Sequence, residues 1–267
     1  MSIKLGRFCF SLMMFLALLP TRVFAGEPLV IAGDPCSLPL AMKLAEAYSK
    51  KDRSFKAEAK QVGCMMGVYQ AASGEAEIGV STQNGLSSNL PKKGRNHILA
   101  KAPIVLVVNK ANPVNDITYE QLQGIYSGKI KNWKELGGKD MAIENIMLAP
   151  CVRYTMSKKV AVYDKGITRL VPEKKGNPVM GTNTMVLENE GAIGQQLYGY
   201  ESEDLKVLSV DDVYPTEKTV PDQYPYFEEY NFVTQGTPKG AVKALLDFAR
   251  SEEGKSVIRS LKHVPVN

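Results

Sequence analysis

The chain has 267 residues, 44% hydrophobic and 23% charged, a composition of an ordinary globular protein that is long enough to bury a core without disulfide staples. Its 33 basic and 28 acidic side chains give a net charge of +5, and loss of Lys4, Arg7 and Arg22 with a cleaved leader leaves about +2. So mild a balance, with both signs interspersed, excludes the clustered basic stripe of a nucleic-acid binder.

Residues 1–25 read as a secretory signal peptide: a basic start (Lys4, Arg7), an apolar run from Phe8 to Leu19, and the small-residue cleavage pattern Val23-Phe24-Ala25. The run is about twelve residues, short of the roughly twenty that a spanning helix needs. Cys9 lies inside the leader and no cysteine stands at the cleavage point, so no lipid anchor is expected. Export to the periplasm is expected, with no membrane insertion once the leader is gone. Three cysteines then remain, Cys36, Cys64 and Cys151. The plain expectation for an odd count in an oxidising compartment is one disulfide and one buried spare thiol.

The mature chain opens with a short apolar strand, Leu29 to Ala32, a Gly33-Asp34-Pro35 turn and a helix from Leu40 to Ser49 with Leu40, Leu44, Ala47 and Tyr48 on one face. A polar strand near Phe55 to Gln61, the loop Gly63 to Gly67, a helix from Val68 to Ser73 and a strand from Glu77 to Val80 follow. Ile104 to Asn109 is apolar and β-branched, as a buried parallel strand would be. Thr118 with Gln121 makes a capping box at a helix start. Beyond it come a strand at Ile146 to Leu148, a loop carrying Cys151, and a helix. Near the end a strand spans Tyr230 to Thr234, and the breaker Gly236-Thr237-Pro238 precedes an amphipathic helix with Val242, Leu245, Leu246 and Ala249 on one face, ending before Gly254. This alternation is an α/β pattern whose ligand surface is the loops at the strand ends.

Several strings resemble the periplasmic solute-binding proteins of phosphate ABC transporters: Ala102 to Pro113, Ile117 to Leu122, Ile125-Tyr-Ser-Gly-Lys-Ile-Lys-Asn-Trp133 on to Gly138, Gly191 to Gly194 with Tyr198, Tyr224-Pro225, and Thr237 to Phe248. The string around Trp133 is the specific one, and the resemblance covers nearly the whole mature chain. It implies a two-lobed α/β periplasmic-binding-protein fold of type II, with mixed sheets flanked by helices and a central ligand cleft closed by hinge motion. One lobe would comprise residues 26–105 and 226–267, the other residues 106–225.

The family holds its anion on three loops, and each carries a cysteine here. The first is Ala32-Gly33-Asp34-Pro35-Cys36-Ser37, with Cys36 at a hydroxyl position. The second is Gly63-Cys64-Met65-Met66-Gly67, followed downstream by Ser81-Thr82-Gln83, where the family has an acid or an Arg. The third is Ala149-Pro150-Cys151-Val152-Arg153. The candidate ligand-binding residues are therefore Cys36, Cys64, Cys151, Ser37, Met65, Met66, Ser81, Thr82 and Arg153, with Met156 near by. Thiolates and thioethers select soft species, so the leading expectation is a thiophilic oxyacid, arsenite, held by Cys36, Cys64 and Cys151. Cu(I) or zinc on the same cysteines is a second form of that idea. The alternatives are a phosphate-like oxyanion binder in which Cys36 and Cys64 form a structural disulfide, and a ligandless interaction protein. Arg153 either turns into the cleft or faces solvent.

His97 and His263 are expected on the surface, Trp133 in the core, and the tyrosines 214, 224, 226 and 230 with Phe227 at a strand edge against the other lobe. No catalytic Ser-His-Asp set, Cys-x-x-Cys pair or His-Glu metal motif is present, so a binding module without a cofactor is expected, not an enzyme. Its partners would be a small inorganic solute and either an ABC permease or a membrane sensor kinase, with the protein itself a monomer.

Overall fold

A computed structural model describes residues 27–63, 65–147, 151–160, 169–170 and 178–266; the expected leader lies outside them. In chain order the first elements are β1 (Leu29–Gly33), α1 (Leu38–Lys51), β2 (Ala57–Gln61), α2 (Met66–Ser73), β3 (Ile78–Ser81) and β4 (Gly94–Asn109). Then come β5 (Asp116–Ile117), α3 (Tyr119–Tyr126), β6 (Glu144–Met147), α4 (Cys151–Lys159), β7 (Arg169–Leu170) and α5 (Pro178–Leu187). The last are β8 (Ala192–Leu197), β9 (Leu205–Val210), β10 (Phe227–Gln235), α6 (Gly240–Arg250), α7 (Glu252–Ser260) and β11 (Val264–Pro265).

The strands run in the order β2-β1-β3-β10-β4-β8-β6-β7, which makes a mixed α/β architecture. β1 is parallel to both β2 and β3, so α1 and α2 are the crossovers of two βαβ units. Every residue of β3 is buried, whereas β2, on the edge, keeps its polar Glu58, Lys60 and Gln61 in solvent. α1 has Pro in its first turn, where the missing N–H costs nothing, and Lys50 and Lys51 in its last, where they complement the helix dipole. Leu40, Ala41, Leu44 and Ala45 form its buried stripe.

β4 is sixteen residues long and changes neighbours midway. Up to Pro103 it pairs with β10; from Ile104 onward it pairs with β8 and β9, antiparallel in each case. The apolar run at Ile104 to Asn109 is thus a buried strand, but not the parallel one expected. Burial on both faces writes the same apolar signature whatever the direction of the neighbours. The chain passes back alongside β4 at Tyr226, whose carbonyl accepts from the Ile104 amide at 2.8 Å.

Local signals are mostly obeyed. Thr118 accepts from the Gln121 amide at 3.1 Å while Gln121 Oε1 accepts from the Thr118 amide at 2.8 Å, closing the capping box. Trp133 is buried and donates to the Gly191 carbonyl at 2.9 Å. Gly254, however, is not a stop. α6 ends at Arg250, Ser251 caps α7 through the Gly254 amide, and a Cβ on Gly254 would stand 2.1 Å from the Phe248 carbonyl oxygen, so the glycine lets two helices turn tightly on each other. Gly67 has the same kind of role at the start of α2: a Cβ there would lie 2.3 Å from the Ala32 carbonyl oxygen of β1.

His263 is a second departure, 2% exposed instead of on the surface. Val264 pairs with Lys101 of β4 and draws the chain end into the sheet. The imidazole then packs on the rings of Tyr200 and Tyr230, and burial lowers its pKa to about 3. His97 is half-buried, its Nε2 3.1 Å from Thr234 Oγ1.

Two measurements check this packing. Gly67→Ala must displace backbone, so the variant is expected to lose about 1–3 kcal/mol in denaturant unfolding. His263 takes up a proton near 6.5 when unfolded but only near 3 when folded, so its stabilisation is complete above 6.5 and is lost as the pH falls through that window. Between about pH 6.5 and about pH 5 the stability of the wild type should therefore fall more steeply than that of His263→Phe, by up to about 1.4 kcal/mol per pH unit.

Candidate functional site

Of the residues expected to bind ligand, Cys36 and Ser37 follow β1, Ser81 and Thr82 stand at the end of β3, and Arg153 lies on α4. At the end of β1 the Asp34 carboxylate turns back on its own loop. Its Oδ1 accepts from the amides of Cys36 and Ser37 at 2.8 and 3.1 Å, and its Oδ2 accepts from Ser37 Oγ at 3.0 Å. Asp34 therefore closes the turn between β1 and α1 by bonding the two amides that precede the helix. Burial raises its pKa, and these hydrogen bonds pull the other way. Ser37 is fully buried and its hydroxyl also reaches the Val80 carbonyl at 3.1 Å, so it ties the first loop to β3.

Cys36 is a free thiol, 2% exposed within the hydrophobic core. Burial, then the nearby Asp34 and Glu228 carboxyls, push its pKa far up, so it is a neutral thiol. The Cys36–Cys64 staple expected as one alternative is not made by this free cysteine; the thiol packs as a small apolar group. Its carbonyl accepts from Tyr230 Oη at 2.7 Å, and that hydroxyl lies 3.0 Å from Tyr200 Oη. A hydrogen-bonded chain thus runs from the first loop through β10 to the segment after β8.

Cys64 lies outside the described residues, as does the side chain of Cys151. Among the described residues no group of three His, Cys, Asp or Glu is placed to hold a metal ion. Met65 is half-buried and packs on the cluster of Val68, Ala71, Leu86 and Val233, whereas Met66 is 51% exposed. Met156 is buried in the core, and Arg153 is half-buried on α4.

Ser81 and Thr82 fit a ligand site best. Both are 1% exposed, and neither hydroxyl has a hydrogen-bond partner. Leaving such a group buried and unpaired costs about 1–3 kcal/mol. The loop they begin is pinned to β10. Asn84 donates to the Phe227 carbonyl at 2.7 Å and accepts from the Glu229 amide at 2.6 Å, while Asn231 donates to the carbonyls of Ser81 and Gln83 at 3.2 and 2.8 Å. Asn84 also reaches Thr155 of α4 at 3.4 Å, so both sides of the site touch here.

Glu228 is the site residue that the sequence reading missed. It is fully buried on β10, and neither carboxyl oxygen makes a hydrogen bond of normal geometry. Burial first, then Asp34 and Glu229, raise its pKa well above the usual range, with the Thr155 hydroxyl offsetting part of the rise. The signal was present: Glu228, Tyr230 and Phe232 share one face of a strand by its two-residue period, so an acid there points inward with the aromatics.

Comparison with known proteins identifies the family. A PBP superfamily domain matches residues 24–253. The phosphate-binding protein PstS of Bacillus subtilis is 30% identical over 257 residues, spanning 91% of this chain and 82% of that protein. Among solved structures, a putative phosphate ABC transporter substrate-binding protein with bound phosphate from Clostridium perfringens superposes with a TM-score of 0.76 at 26% identity, over 90% of this chain and 100% of that one. An ABC-type phosphate transport receptor from Vibrio cholerae shares the fold at a TM-score of 0.68 and 24% identity, over 88% and 99% of the two chains. With a type II periplasmic-binding-protein fold and a match along nearly its whole length, the chain belongs to the PBP superfamily, among the PstS-type solute-binding proteins, which bind and deliver rather than catalyse.

Proposed function

We propose that this chain is the periplasmic solute-binding component of an ABC importer and captures a phosphate-like oxyanion between a lobe of residues 26–105 and 226–267 and a lobe of residues 106–225. The observation that carries the reading is the pair of buried, unpartnered hydroxyls of Ser81 and Thr82 in a chain 30% identical to a phosphate-binding protein. A hydroxyl donates to an oxyanion oxygen and is satisfied by it. Cys64, Cys151 and Arg153 would complete the shell from the second and third loops, with Met65 and Met66 at the edge of the second. Cys36 and Ser37 would shape the first loop without touching the ligand. Arsenite, Cu(I) and zinc find no support in the family or in the neutral, buried thiol of Cys36. The signal peptide at 1–25 would deliver the protein, and a permease rather than a sensor kinase would be its partner, with the monomer as the working form. No helix among the described residues is long and apolar enough to cross a membrane.

Thermal unfolding of the mature protein with phosphate, arsenate, sulfate and arsenite tests the reading. A ligand at about a hundred times its Kd adds about 2.7 kcal/mol of stability. Phosphate and arsenate should raise the melting temperature and arsenite should not. Ser81→Ala combined with Thr82→Val should weaken phosphate binding by about tenfold or more. A shift with arsenite alone would refute the oxyanion assignment.

A further inference from the structure

Glu228 is a carboxyl buried in β10, on a strand that pairs with β3 beside the loop of Ser81 and Thr82. It sits at the crossing of β10 with β4, opposite Ala102, with Asp34 and Cys36 of the first loop and Thr155 of α4 around it. The charged groups facing this point are few. Asp34 and Glu229 are acids that disfavour a second negative charge. Lys101 of β4 and Lys159 of α4 lie over the ring of Phe227, 5.3 and 5.9 Å from its centre, and Arg153 is half-buried on α4. On the adjacent strand β3, which pairs with β10 at Asn231, the hydroxyls of Ser81 and of Thr82 that follows it are unpartnered, as are both Glu228 oxygens. Asp34 spends its oxygens on the turn that precedes α1. Glu228 spends none, which leaves it available to a ligand.

We propose that Glu228 is a ligand-binding residue and that oxyanion capture is proton-linked, with one proton held between the Glu228 carboxyl and the bound anion. The assignment rests on the oxyanion reading above. An ionised carboxylate against an oxyanion oxygen is repulsive, whereas a protonated one donates a short, charge-assisted hydrogen bond to it. Bringing an anion to Glu228 therefore raises the carboxyl's affinity for its proton, and by linkage the proton raises the affinity for the anion. In the window between the free and the anion-bound titration of Glu228, each captured anion takes up one proton. Affinity weakens as the pH rises through that window, by a factor that approaches tenfold per pH unit.

Isothermal titration calorimetry of phosphate into the mature protein, repeated in buffers of different ionisation enthalpy, counts the protons taken up. Working above the pH at which free phosphate is fully in its dianionic form removes the ligand's own titration from the count. The wild type should take up close to one proton per phosphate and lose affinity as the pH rises. Glu228→Gln keeps a donor of the same shape but cannot titrate. It should bind phosphate with no proton uptake beyond what the ligand brings and with a flatter pH profile. No proton uptake by the wild type overturns the proposal whether or not the variant folds. Uptake and pH profile unchanged in a folded Glu228→Gln overturn the assignment to Glu228. If the wild type binds neither phosphate nor arsenate, the oxyanion reading fails first, and this proposal with it.

Discussion

Strand β4 is the element on which the rest of the molecule depends. Its first part closes the sheet built from β1, β2, β3 and β10, and its second part founds the sheet of β8, β9, β6 and β7. The exchange of neighbours falls between Pro103 and Ile104, where the returning chain also lies, with Tyr226 bonded to Ile104. A ladder that changes partners keeps every backbone group paired while the two sheets lie in different places. The loop after β3 is thereby brought to α4, where Asn84 reaches Thr155.

That site is built from polar groups committed to different ends. Asp34, Ser37, Asn84 and Asn231 spend their hydrogen bonds on the scaffold, holding the first loop to β3 and the Ser81–Asn84 turn to β10. Ser81, Thr82 and Glu228 spend none. A buried donor or acceptor without a partner is a cost that a folded chain tolerates where a ligand supplies the partner. The first set fixes the positions of the loops, and the second is left unsatisfied. The phenol chain from Tyr200 through Tyr230 to the Cys36 carbonyl links the first loop to the other sheet, so loop position and lobe position are tied.

Cys36 shows how residue type alone suggests a chemistry that the surroundings do not support. Reading the cysteines on the three anion loops followed from the family strings, and from there thiolate chemistry followed from residue type alone. A thiol becomes a ligand only if it can lose its proton. Cys36 cannot do so readily, because it sits in the core beside two carboxyls. Glu228 is the converse case, an acid that looks ordinary among the polar residues of β10 until burial removes its solvent.

Much of the fold was legible because it rests on short-range rules. The capping box at Thr118, the stripe on α1, the apolar run of β4 and the glycine-marked turn before α6 are all written within a few residues. The family strings extended that reading to the two-lobed plan. Direction of pairing and burial of His263 were not legible, since each depends on a residue far away in sequence, Leu197 opposite Ile104 and Lys101 opposite Val264, and the role of Gly254 depends on how tightly α7 turns back on Phe248 of α6. By itself the sequence determined many of the strands and helices and the α/β class. Only the tertiary structure decided which polar groups on those loops are already satisfied and which are left open, because hydrogen-bond satisfaction and desolvation are properties of a residue's neighbours in space, not of its own identity.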